Sequence, residues 1–224
     1  MPAATVEPSV RYPLKISPYS SHALLVAEFP SRGAGRRVLD IGCGYGHLGS
    51  LLAQRGFAVT GVDYPGISYS PQFDFVAADL EHGLPPLDGL FDFILFADVL
   101  EHLRDPLQML LECRKLLAPG GALIASLPNS GHAYFRCQVL LGRFPQEDRG
   151  LFDRTHLRFY TWDGWVDLLA RAGFGIQTLR CSGIPFSEVF PRFPLVRVFE
   201  WLSFGSARIW KRLFAYQFIV RAAP

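Results

Sequence analysis

The stretch Val38-Leu39-Asp40-Ile41-Gly42-Cys43-Gly44-Tyr45-Gly46 decides the fold. An apolar run enters a glycine-rich turn, and a helical pattern follows from His47. A strand, a glycine loop and a helix in that order let a nucleotide-like ligand rest on bare backbone at the carboxyl end of a strand. Asp40 selects among ligands. A carboxylate beside the loop repels a pyrophosphate but pairs with an ammonium group, so the loop favours a cofactor that presents an amino acid.

A shifted register, Gly44-Tyr45-Gly46-His47-Leu48-Gly49, satisfies the dinucleotide pattern G-x-G-x-x-G, which leaves a dehydrogenase as a distant third reading. That register begins two residues late, because the strand already ends at Ile41. In the unshifted register His47 stands where the third glycine would be. Asp63 lies about twenty residues downstream, where a ribose-binding carboxylate belongs for either cofactor.

Outward from the loop, helices alternate with strands. The patterns predict strands at 36–41, 57–62, 73–77, 91–96 and 122–127, with helices at 22–29, 47–55 and 106–117. A further helix, 162–172, precedes two final strands at 174–180 and 214–220. Alternation of this kind implies a doubly wound, mostly parallel α/β sheet of seven strands. Asp40, Asp63, Asp79 and Asp98 then stand at successive strand carboxyl ends, where ligands bind in such sheets. The chain reads as one domain over 1–224. Residues 1–35 form an N-terminal cap or lid, 128–160 an insertion on the acceptor side, and 182–213 an aromatic and basic insertion.

Composition narrows the function. The 224 residues are 50% hydrophobic, which suits one buried core. A formal charge of +2 gives no argument for nucleic acid. Cys43, Cys113, Cys137 and Cys181 are widely spaced and form no C-x-x-C pair, as in a reduced, cytoplasmic protein without a zinc site. Neither a signal peptide nor an apolar run of membrane-spanning length is legible.

With these elements placed, the chain resembles the class I S-adenosylmethionine-dependent methyltransferases over roughly 36–174. Val38 to Gly46 resembles their first motif. The resemblance implies cofactor contacts by Asp40, Gly42, Cys43, Gly44, Gly46, His47 and Leu48. It places Asp63 and Tyr64 at the ribose and Ala78, Asp79 and Leu80 at the adenine. Phe91 to His102, FDFILFADVLEH, resembles the post-strand motif, with Phe96, Ala97, Asp98 and His102 lining the cofactor. LLAPGG at 116–121 resembles the turn before the fifth strand. The segments Leu127-Pro128-Asn129, Gly142-Arg143-Phe144 and Asp153 to Phe159 also resemble a bacterial subgroup associated with polysaccharide and glycolipid assembly. Part of that pattern is shared with MetW-like proteins, which implies an alternative role as a non-catalytic partner of another enzyme.

Methyl transfer to oxygen needs alignment and a base near neutrality. His156 is the first candidate and His132 the second. Tyr12, Tyr19, Asn129, Arg154 and Arg158 are candidate contacts to a small-molecule or glycan acceptor. The arginines can instead pair with Glu147, Asp148 or Asp153. On a helix, Asp98, Glu101 and His102 would share a face that could grip a divalent cation. Cofactor contact is preferred, and no metal is assigned. The segment 192–214, with aromatics and arginines interleaved, suits ordinary packing, a homodimer contact or a membrane surface.

Overall fold

In a computed structural model, residues 17–65, 73–190, 192 and 194–224 are described. Tyr12, Phe193 and residues 1–16 of the predicted N-terminal cap lie outside those residues.

Seven strands form one sheet: β1 Arg37–Ile41, β2 Ala58–Asp63, β3 Asp74–Ala77, β4 Phe91–Ala97, β5 Leu117–Pro128, β6 Gly175–Ser182 and β7 Gln217–Ala223. Their order across the sheet is β3-β2-β1-β4-β5-β7-β6. The first five run parallel, and β7 is antiparallel to both its neighbours. This is the doubly wound, seven-stranded arrangement that the alternation predicts. The chain reverses between β1 and β4, so the carboxyl ends of those strands flank a crevice.

Eight helices accompany the strands among the described residues: α1 Ser21–Val26, α2 His47–Gln54, α3 Pro106–Lys115, α4 Ala133–Leu140, α5 Trp162–Arg171, α6 Phe186–Val189, α7 Val196–Ile209 and α8 Lys211–Phe214. Local chemistry sets their ends. The Ser20 hydroxyl caps α1 by accepting from the Ala23 amide, and Asp105 caps α3 ahead of Pro106 at its first turn.

The pleat divides the core into two layers. On one face Leu39, Ile41, Ile94 and Phe96 pack with Met109, Leu110 and Trp165. On the other, Val38, Phe93 and Leu95 pack with Leu25, Leu48 and Leu52. Strands covered on both faces read as unbroken apolar runs, which is why FDFILFA was legible as a central strand. Trp165 ties α5 to the sheet by donating its indole N–H to the Pro128 carbonyl at 2.8 Å.

Three expectations are corrected. The third helix ends at Lys115, and Leu117 already pairs with Phe91; Pro119-Gly120-Gly121 sits inside β5, where the register shifts. The last strand begins at Gln217 rather than Phe214, because Lys211–Phe214 forms α8. Both insertions are more helical than their sequences suggest: α4 lies in the first, and α6 to α8 in the second.

Candidate active site

The glycine loop is built on the tip of β2. The amides of Gly42 and Cys43 both donate to the Val62 carbonyl, at 2.8 and 3.3 Å. Asp63 continues the clamp. Its Oδ2 accepts from the Gly44 amide and its Oδ1 from the Tyr64 amide, each at 2.6 Å. Gly42 has φ +66°, and a Cβ there would lie 2.6 Å from the Val99 side chain, so both conformation and space demand glycine. Gly46 is the N-cap residue of α2, with φ +73°, a left-handed conformation that glycine adopts freely.

Asp40 is buried between Cys43 and Gly49. Burial, with Asp63 nearby, raises its pKa from 3.8 to about 7, while a hydrogen bond from the Gly49 backbone opposes the rise. Its Oδ2 has no hydrogen-bond partner among the described residues. The Cys43 thiol is pushed up by the same burial and by both carboxylates. A cation brought to the loop would relieve this concentration of negative charge. At Gly44 a Cβ would meet nothing within 4 Å, so open space lies over the backbone. An orphaned buried carboxylate oxygen and an open glycine backbone fit a ligand that carries an ammonium group.

The other predicted cofactor residues divide into tips and core. Tyr64 is exposed directly after Asp63. The Ala78 amide donates to the Asp63 carbonyl, which brings the β3 tip beside β2. Asp79 caps the 3-10 turn Leu80–His82, accepting from the Glu81 amide and contacting the His82 ring. His47 is exposed at the start of α2. The side chains of Leu48 and Phe96, by contrast, are buried in opposite core layers. Their side chains support the loop and β4 from behind, which leaves their backbone as the part that could meet a cofactor. Leu80 packs partly against the core, and Ala97 is half-buried at the β4 tip.

The turn after β4 departs from the expectation. Asp98 adopts φ +58°, rare for a residue with a Cβ. It is tied to β5 and β7: its Oδ1 accepts from Ser126 Oγ and, at 2.7 Å, from Gln217 Nε2. Leu100–His102 is a 3-10 turn that begins after Asp98, so the three do not lie on one α-helical face, although the Asp98 charge still acts on His156. Instead Glu101 and His102 meet His156, and the ligand atoms of the three lie within 4.8 Å of one another.

His156 reaches this place because its loop hooks onto the turn. The Glu101 carbonyl accepts from the amides of Leu157 and Arg158, at 2.9 and 3.0 Å. His156 Nε2 lies 3.9 Å from Glu101 Oε1, and both side chains are buried, at 7% and 1% exposure. The His102 ring stands 4.7 Å from His156, edge to face, and its Nδ1 contacts Thr155. Burial and His102 lower the His156 pKa to about 4, so the ring is neutral at physiological pH. The Leu151 backbone opposes this lowering. A neutral imidazole has a single N–H, so the other nitrogen keeps a lone pair. Such a group can take a proton from a hydroxyl or ligate a cation.

The second base candidate and several acceptor candidates have other employment. His132 is buried and caps α4, its Nδ1 accepting from the Tyr134 amide. Burial lowers its pKa to about 4. Asn129 uses both ends of its amide on backbone: Oδ1 accepts from Gly131, and Nδ2 donates to Ala215 and Arg212. It ties the β5 tip to α8 and its C-cap residue, which corrects its assignment to the acceptor. Arg154 pairs with Asp148, as its alternative reading has it, and Arg158 donates to the Arg104 carbonyl. Tyr19 rests on Phe204 of α7, with ring centroids 4.9 Å apart. Sequence reasoning missed an aromatic cluster beside His156, in which Phe135 and Phe152 stack and Phe144 and Phe159 close around them. Its signal was the density of phenylalanines in the first insertion.

Strand order, glycine loop and carboxylate-tipped strands together define a class I S-adenosylmethionine-dependent methyltransferase. The chain belongs to the methyltransferase-domain family, whose model matches residues 18–179. It is 35% identical over 117 residues to a ubiquinone biosynthesis O-methyltransferase of Xanthomonas oryzae, covering 48% of this chain and 49% of that one. It is 30% identical over 171 residues to the protein of the same name from Chromobacterium violaceum, covering 70% and 71%. The chain thus spans about half the length of the first of these relatives. Among solved structures, an S-adenosylmethionine-dependent methyltransferase from Mesorhizobium loti shares the fold, with a TM-score of 0.61, 18% identity, and coverage of 90% of this chain and 96% of that one.

Proposed function

We propose that this protein transfers a methyl group from S-adenosylmethionine to a hydroxyl of a small organic acceptor. The observation that carries the reading is the juxtaposition of two sites at one sheet edge. The open glycine loop clamped by Asp63 stands on β1 and β2, and the buried Glu101–His156 pair stands at the turn after β4. Asp40 would face the charge of the cofactor's ammonium, Asp63 the ribose hydroxyls and Asp79 the adenine. The sulfonium already activates the methyl group, so what remains is alignment and removal of the acceptor's proton. His156 takes that proton, and Glu101 stabilises the imidazolium that forms. The aromatic cluster around Phe152 suits an acceptor with an apolar or aromatic body, and the relatives' names are in keeping with an oxygen acceptor. A glycan hydroxyl is a finer form of the same reading; the alternative is a MetW-like partner role, which a stable hetero-complex without turnover would favour.

A second reading rests on the same trio. An imidazole lone pair beside a carboxylate and a second histidine can hold a divalent cation, which would then lower the acceptor hydroxyl's pKa. The test is S-adenosylhomocysteine formation over a panel of phenols and catechols, with and without chelator, alongside calorimetric titration of S-adenosylhomocysteine. Binding lost in Asp63→Ala supports the cofactor site. Absence of binding by the folded wild type refutes the enzyme reading.

A further inference from the structure

Helix α7 is built inside out. Apart from Phe204, which packs against the core and Tyr19, its inward positions are polar or small: Glu200, 5% exposed, accepts hydrogen bonds from Ser17 and Ser187, the Ser203 hydroxyl accepts from the Ile184 amide, and Ala207 is buried. Its outward positions are apolar. Val198, Trp201, Leu202 and Ile209 are exposed, Ile209 to 90% and Trp201 to 60%, with Leu195 and Trp210 extending the stripe at either end. In a helix whose only role is to cover a core, these faces would be exchanged. The polar knot at Glu200 fixes the rotation, so the apolar face cannot turn inward without burying a carboxylate unpaired. Phe190 and Phe199 open on this surface into an all-carbon hollow of about 240 Å³, completed by Phe186 and Val196.

Charge selects the occupant. From Phe190 to Phe214 the chain carries Arg192, Arg197, Arg208, Lys211 and Arg212 against one acid, Glu200, which is turned inside. Arg212 is already paired with Asp163, but Arg192, Arg197 and Arg208 have no ion pair among the described residues, so a second copy would bring a basic rim against a basic rim. An anionic surface would neutralise it. No helix among the described residues is long and apolar enough to cross a membrane, so contact would be with a surface. We propose that α7 and its basic flanks dock on the anionic headgroup face of a lipid bilayer, with Trp201, Leu202 and Ile209 entering the interface and the phenylalanine-lined hollow receiving part of an acyl chain. The docking surface does not depend on the methyl-transfer reading.

The experiment is co-sedimentation of the full chain with vesicles of phosphatidylglycerol and phosphatidylcholine, compared with vesicles of phosphatidylcholine alone. The expected result is at least tenfold stronger partition to the anionic vesicles, weakened by high salt. Trp201→Ser with Ile209→Ser should abolish partition, and Arg197→Gln with Arg208→Gln should remove the preference for anionic lipid. All four positions are exposed, and an unchanged melting transition confirms that the variants fold. Equal partition to both vesicle types overturns the proposal, as does no partition at all. A wild-type dimer in sedimentation that the Trp201/Ile209 variant converts to monomer overturns it in favour of a second copy.

Discussion

Asp40 makes cofactor affinity a titration. Its carboxyl has an ordinary pKa of 3.8 and one of about 7 in the folded, ligand-free protein, chiefly through burial. If the cofactor's ammonium acts on the ionised form, each pH unit below 7 leaves about tenfold less competent protein, and affinity falls in proportion. From pH 8 to pH 5 the dissociation constant for S-adenosylhomocysteine should rise about a hundredfold, with a flat region above pH 7.5. The same shift sets ligand-free stability. The native state holds its proton more tightly than the unfolded chain, so the cost is absent below pH 3.8, grows as pH rises, and levels off above about 7. At full extent a shift of this size is worth about 4 kcal/mol. Asp40→Asn should therefore bind weakly at every pH yet resist urea better than wild type at pH 8, the two converging toward pH 4. Calorimetric titration and urea melts across that range measure both effects. A wild-type affinity flat from pH 5 to 8, or an Asn variant that binds as tightly, refutes the reasoning.

Gly42→Ala must accommodate both φ +66° and a 2.6 Å approach to Val99, so it should lose cofactor binding and about 1–3 kcal/mol of stability, read by calorimetry and thermal melts. His156→Ala should slow turnover about 10²–10⁴-fold while S-adenosylhomocysteine affinity holds, and Glu101→Gln should follow it in the same direction; a fully active His156→Ala enzyme removes the base assignment. If the trio instead holds a cation, chelator alone should reproduce the loss and a divalent salt should restore activity. Asn129→Ala leaves buried carbonyls and an amide without their partner, and should lower stability by about 1–3 kcal/mol with no selective effect on the acceptor's KM.

The sheet was legible because β1 and β4 are buried on both faces and therefore apolar without interruption, and because the glycine loop marks where β1 must stop. The loop's own geometry was legible for the same reason: only glycine tolerates the turn at position 42. What eluded the sequence was long-range polar pairing. Nothing in the spacing of Asn129 shows that its amide closes on Ala215, 86 residues away. Spacing put Asp98, Glu101 and His102 on one helical face, whereas the left-handed backbone at Asp98 breaks that periodicity and sends its carboxylate to Ser126 and Gln217. His156 was selected for its polar company, but its partners come from a segment some 55 residues earlier in the chain, which only the tertiary fold brings near. The inversion of α7 was hidden as well, since a helical pattern shows which residues share a face and not which way the face points.

The two hydrogen bonds from Leu157 and Arg158 to the Glu101 carbonyl make one rigid unit of two segments distant in sequence. Their amides belong to an exposed stretch, yet they should exchange with deuterated solvent as slowly as the strand behind them. A loop secured in this way is a fixed wall rather than a door. On the proposed function, acceptor entry and product release would then draw on movement elsewhere around the rim, with the histidine held in alignment with the carboxylate.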